Sequence, residues 1–220
     1  MLIKNIKKTI YLIVLFYFSL ANAGSYDDFL TAVKNDDAAQ VLELLQRGFD
    51  PNTAYPDGVT GLLVAVKLPS PKVLGVLIQW PGTRVEVRNA ADESPLMLAA
   101  LRGDLALCRR LIDKGADVNK TGWTALHYAA SGAHLEIIAL LLDESAYIDA
   151  ESPNGSTPMM LAARYGSAAA VKLLLESGAD PLLKNQLDMT ALDFAQSVSR
   201  KDVAQMIRAA VAAQAPESAQ

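Results

Sequence analysis

One phrase recurs five times along the chain, and this recurrence constrains the fold more than any bulk property. It reads Thr157-Pro158-Met159-Met160-Leu161-Ala162-Ala163 in one copy and Thr124-Ala125-Leu126-His127-Tyr128-Ala129-Ala130 in another. Ser94-Pro95-Leu96-Met97-Leu98-Ala99-Ala100 and Thr190-Ala191-Leu192-Asp193-Phe194-Ala195 are two more, and Thr60-Gly61-Leu62-Leu63-Val64-Ala65-Val66 is a degraded copy. The copies begin 34, 30, 33 and 33 residues apart. A second phrase alternates with the first: Gly115-Ala116-Asp117-Val118-Asn119 and Gly178-Ala179-Asp180-Pro181 are clear copies, Gly48 to Asn52 and Ser145 to Asp149 looser ones. Each follows an apolar run at helical spacing, such as Leu135 to Leu142.

Local chemistry turns each period into two helices. The Thr or Ser hydroxyl caps a helix start, and Pro95 or Pro158 suits the first helical position. Paired alanines let neighbouring helices approach, and Leu126 and Leu161 are expected between the helix layers. The second helix carries Leu, Ile and Val on one face. Gly115 and Gly178 fall where a helix ends in a left-handed residue.

These phrases resemble the ankyrin repeat, with its T-P-L-H-x-A signature and period near 33. The resemblance covers about 25–212 and implies an all-α solenoid of five to six helix-turn-helix repeats joined by short β-turn or hairpin loops. The expected divisions are a signal peptide over 1–23 and a repeat domain over 24–212. Within the domain come a capping repeat (25–55), repeats over 56–90, 91–120, 121–153 and 154–186, a C-terminal capping repeat (187–212), and then a disordered tail over 213–220. Asp27, Asp28, Lys34, Asp36 and Asp37 give the first cap a polar outer face. Two departures stand out. The 30-residue interval predicts a loop before Gly122 clipped by about three residues. Repeat 56–90 is degenerate, with Pro69 and Pro71 at its helix-to-helix turn and Trp80-Pro81-Gly82 at its end.

Residues 1–23 read as an address. Lys4, Lys7 and Lys8 precede an apolar stretch from Thr9 to Leu20, and Ala21-Asn22-Ala23 offers small residues where signal peptidase cuts. The apolar run is about 12 residues, short of the roughly 20 that span a bilayer. This predicts cleavage after Ala23 and a periplasmic protein with no membrane attachment afterwards; an uncleaved anchor is the competing reading. Those three lysines belong to the 20 basic residues of the chain; the other 17 face 24 acidic ones, a net of −7. Such a balance argues against nucleic acid.

Catalytic chemistry finds little material. One cysteine, Cys108, and two histidines, His127 and His134, offer no metal-ligand spacing. Cys108 lies at an apolar place and reads as a buried small hydrophobe. The resemblance implies a structural role for His127, bonding to nearby backbone, and His134 stands at another consensus place. No P-loop, G-x-G-x-x-G or G-x-S-x-G appears. No enzyme, cofactor or metal is expected.

The resemblance implies docking on a concave face. Carried over residue by residue, that face comprises Asp57, Val59 and Lys67, then Glu93 and Arg102, then Trp123, then Asn154, Arg164 and Tyr165, then Met189; Leu101, Ser131 and Ser156 hold the remaining equivalent places. Trp123 has two readings, a contact residue or a filler against the clipped loop. The expected function is non-catalytic capture of an unidentified protein partner by a monomer. Alternatives within binding are an inhibitor or immunity-type protein against a toxic enzyme and an adaptor for an oxidative-stress enzyme; a membrane-tethered scaffold is a further one.

Overall fold

A computed structural model describes residues 26–55, 58–68 and 70–214. The expected signal peptide over 1–23, Asp57, Pro69 and tail residues 215–220 lie outside the described residues. Every regular element among those described is a helix, twelve in all, with one isolated antiparallel bridge between Ala54 and Thr60. They fall into two compact units, 1–91 and 92–220.

The first unit holds α1 (26–34), α2 (Ala38–Gln46), α3 (Gly61–Lys67) and α4 (Pro71–Gln79). Its core gathers Phe29, Leu30, Val33, Val41, Leu62, Leu63 and Leu77. The degraded phrase has a steric cause. A Cβ on Gly61 would sit 2.4 Å from the Phe29 ring, so the ring occupies the space an alanine or proline would need. Pro71 does not interrupt α4 but begins it, where a missing N–H costs nothing. Ser70 leaves its own helix uncapped and donates to the Val33 carbonyl at 3.0 Å, while Asp36 accepts the Val73 N–H at 2.9 Å.

In the second unit α5 (Pro95–Arg102), α7 (Ala125–Ser131), α9 (Pro158–Arg164) and α11 (Ala191–Ser197) pack side by side. Behind them run α6 (Leu105–Asp113), α8 (Leu135–Asp143), α10 (Ala168–Glu176) and α12 (Lys201–Gln214). Ala99, Ala100, Ala129, Ala130, Ala162 and Ala163 are wholly buried and set the close spacing of the first row. Ser94, Thr124, Thr157 and Thr190 each accept the N–H three residues on at 3.3–3.4 Å. Gly115 and Gly178 end α6 and α10 at φ 92° and 97°. Ser145 takes the equivalent place after α8 at φ 64°. The clipped loop is present: eleven residues separate α6 from α7, against fourteen between α8 and α9. It contains Lys120, 5% exposed, whose ammonium pairs with Asp92 and donates to the Thr121 carbonyl at 2.8 Å. α12 runs through Ala213 to Gln214, two residues into the expected tail, because alanine favours helix.

One core expectation needs correction. Leu126 is fully buried, but Leu161 is only half-buried. Counted from the capping threonine, Leu161 stands at the place of Tyr128, and Met159 fills the place of Leu126 with 1% exposure.

Candidate protein-binding face

The fourth residue of each phrase closes the helix start. Thr124 N–H lies 3.2 Å from Nδ1 of His127, and Thr190 N–H donates to the Asp193 carboxylate at 2.8 Å. Sulfur takes this role in the other two copies of the second unit: Ser94 N–H to Met97 and Thr157 N–H to Met160, both at 3.4 Å. These are capping boxes with unusual acceptors. The Thr190 N–H and hydroxyl hold the Asp193 carboxyl below its ordinary range. His127 is fully buried, and that burial pushes its pKa down to about 4. It is a neutral structural ring. His134 bonds backbone too, its Nε2 standing 3.0 Å from the Leu101 carbonyl.

In α7 and α9 the fifth residue of the phrase is half-buried, whereas Leu98 and Phe194 at the same place are buried. Tyr128 and Leu161 join Leu101, Trp123, His127, Ser131 and Tyr165 around a mainly apolar groove of about 320 Å³. Tyr165 is 62% exposed and Leu101 44%, large values for apolar side chains. Trp123 is half-buried and meets the His127 ring edge-on, centroids 5.3 Å apart. It packs on the His127 ring and lines the groove. Tyr128 donates to Glu93 at 3.2 Å. Burial, with the Glu93 carboxylate adding to it, raises the Tyr128 hydroxyl to about 12. The guanidinium carbon of Arg164 stands 5.3 Å from the centre of the Tyr165 ring.

The expected face residues are thus gathered unevenly. Trp123 and Tyr165 line the groove, with Glu93 and Arg164 in contact with its lining residues. Arg102 is the exposed last residue of α5, next to Leu101. Asn154 is turned into its own loop, where its side-chain oxygen takes the Ser156 N–H at 3.2 Å and the Ser152 hydroxyl at 2.6 Å. Met189 is half-buried, with its backbone bonded to Asn185. Val59 and Lys67 belong to the first unit. The carried-over places omitted Tyr128 and Leu161, although the repeating phrase puts both at one helical position.

Cys108 is buried, and desolvation, reinforced by Asp104, raises its thiol to about 12. Among the described residues no cluster of three His, Cys, Asp or Glu could hold a metal ion. A larger hollow of about 530 Å³ between α11 and α12 is lined by Gln196, Ser199, Arg200, Lys201, Ala204, Gln205 and Arg208. It has neither the aromatic lining nor the repeated helix position of the groove.

The sequence profile described as "Ankyrin repeats (3 copies)" matches over 29–121, 62–152 and 144–214, nearly all of the described chain. The chain belongs to the ankyrin-repeat family. An ankyrin repeat protein of Escherichia coli (strain K12), YahD, is 29% identical over 193 residues, which cover 83% of this chain and 95% of that one. The nuclear factor NF-kappa-B p105 subunit of Gallus gallus is 30% identical over 161 residues, 70% of this chain. The tyrosine-protein kinase Shark of Drosophila melanogaster is 28% identical over 168 residues, 74% of this chain. The match spans only 16% of the p105 subunit and 18% of the kinase. Ankyrin repeats are in general protein–protein interaction modules and typically non-catalytic.

Proposed function

We propose that this chain is an exported, non-catalytic ankyrin module that captures a protein partner on the face formed by α5, α7 and α9. Cleavage after Ala23 delivers it to the periplasm as a monomer, with the repeat domain over 24–212. The basic, apolar and small-residue layout of residues 1–23 carries the export step.

One observation carries the binding step: the groove leaves Leu101 of α5 and Tyr165 at the end of α9 exposed beside the half-buried Trp123. Aromatic and arginine side chains dominate interface energetics, and a preformed surface loses little entropy on binding. Trp123, Tyr165, Arg164, Arg102 and Glu93 are the proposed contacts, with Asn154 and Met189 at their margin. Asp57, Val59 and Lys67 are the corresponding contacts on the first unit.

The test is partner capture from a periplasmic fraction by wild type and by variants. Trp123→Ala and Tyr165→Ala are each expected to weaken capture by about 1–3 kcal/mol while circular dichroism stays native. Lys172→Glu, at an exposed position of α10, serves as control. Normal capture by both groove variants refutes the face, and recovery of the protein only in membranes with Met1 retained refutes export.

A further inference from the structure

The charges around the groove are used differently. Asp92 is neutralised by the buried Lys120, and Glu93 is held in place by the neutral Tyr128 hydroxyl. Arg164 is not neutralised in this way. Its guanidinium carbon lies over the Tyr165 ring, 5.3 Å from the ring centre, Nη1 makes one long bond of 3.4 Å to the Ser197 hydroxyl, and Nε is buried with no hydrogen-bond partner. No carboxylate pairs with it among the described residues. A guanidinium over a ring face still presents its terminal N–H groups, which fit a carboxylate.

We infer that the groove takes an acidic segment of a protein partner. An aromatic or leucine-sized side chain sits among Leu101, Trp123, Tyr128 and Tyr165, and an aspartate or glutamate one or two residues away binds Arg164. This deepens the docking-face reading and rests on it. Arg164 and Tyr165 are consecutive, so their ligands lie close together on the partner as well. About 320 Å³ is at the small end for a binding cleft, room for one or two side chains rather than a large ligand. The net charge of −7 left once residues 1–23 are removed opposes an acidic segment only at long range. Screening confines that opposition to roughly 8 Å at physiological salt, and within that distance the local cation decides.

Random peptides displayed on phage and selected on the folded protein test the assignment. Enriched peptides are expected to carry Trp, Phe, Tyr or Leu with Asp or Glu within two positions. They should shift the Trp123 indole N–H signal, assigned through Trp123→Phe. Their affinity should fall about tenfold with Arg164→Gln or Tyr165→Ala, and should fall as salt rises. Enriched peptides in which Lys or Arg flanks the anchor, or binding at Trp123 that is indifferent to Arg164→Gln, overturn the acidic assignment and leave the docking face standing. Peptides that leave the Trp123 signal unmoved, or no enrichment at all, overturn the face together with the assignment.

Discussion

Nε2 of His127 lies 2.9 Å from the carbonyl oxygen of Ser156, 29 residues further along the chain. Nδ1 faces the Thr124 N–H, so the hydrogen-bond network assigns the ring proton to Nε2, which donates to Ser156. The imidazole therefore caps its own helix and ties the α7 repeat to the loop entering α9. A second proton on Nδ1 would oppose the Thr124 N–H and leave only the Thr124 hydroxyl oxygen, 2.8 Å away, to receive it.

A pH dependence follows. The folded pKa of about 4 lies below the ordinary 6.5, with burial as the main cause. The contribution is complete above pH 6.5, where both folded and unfolded rings are neutral. As pH falls the unfolded ring binds a proton that the folded ring refuses, so stability drops until it levels off below about 4. The loss is on the order of 3 kcal/mol. His127→Met places the residue of Met97 and Met160 here and keeps a cap acceptor. Urea melts at several pH values should show wild type losing stability relative to this variant between pH 6.5 and 4. Parallel curves would refute the assignment.

Core substitutions separate two leucines of similar sequence appearance. Leu126→Ala removes a fully buried side chain and should cost about 2–5 kcal/mol. Leu161→Ala trims a half-buried groove residue and should cost about 1 kcal/mol. Met159→Ala, at the true core place of that repeat, should resemble Leu126→Ala. Equal losses at Leu126 and Leu161 would contradict the helix register. The measurement is chemical denaturation with unchanged slope.

That contrast marks how far the sequence could be read. Capping residues were legible because a hydroxyl before an apolar run has one efficient use, and Gly115 and Gly178 because few other residues tolerate their backbone. Counting loop residues located the clipped connection. The exchange of Leu161 for Met159 was not legible from hydrophobicity, since Met-Met-Leu is apolar throughout and only the distance from Thr157 sets the face. Nor could local sequence reveal the burial of Lys120, which depends on Asp92, 28 residues earlier. The groove was half legible. Trp123 and Tyr165 stood out as large aromatics at turn and helix-end places, whereas Tyr128 was hidden inside the phrase used to identify the repeat.

Ser145 offers a stabilising change. It holds φ 64° where Gly48, Gly115 and Gly178 hold positive values at equivalent helix ends. A left-handed L-residue costs roughly 1–2 kcal/mol, and glycine returns roughly 0.5–1 kcal/mol of that as unfolded-chain entropy. Ser145→Gly is therefore expected to gain about 0.5–1 kcal/mol. The Ser145 carbonyl, which accepts from Asn119 at 2.8 Å, is unaffected. Differential scanning calorimetry should show a higher melting temperature, and a lower one would mean the serine side chain contributes something its backbone strain conceals.

Arg200 supports the end of α9 from the next repeat. Its Nη1 donates to the carbonyls of Ala162, Ala163 and Gly166 at 3.1, 3.3 and 3.0 Å. The Ala162 carbonyl also takes the Gly166 N–H at 3.0 Å, and all three oxygens stand at the negative end of the α9 dipole. Hydrogen bonds from a charged donor contribute about 1.5–3 kcal/mol, so Arg200→Ala should destabilise by about that amount. Arg200→Lys should recover part of it, because an ammonium keeps the charge but loses the planar fork. The local consequence is the more specific one. Arg164 and Tyr165 stand at this same end of α9, so amide hydrogen exchange should quicken around 162–166 in Arg200→Ala while α6 stays protected. Unchanged exchange there, or a uniform increase across the unit, would show that Arg200 does not hold this helix end in place.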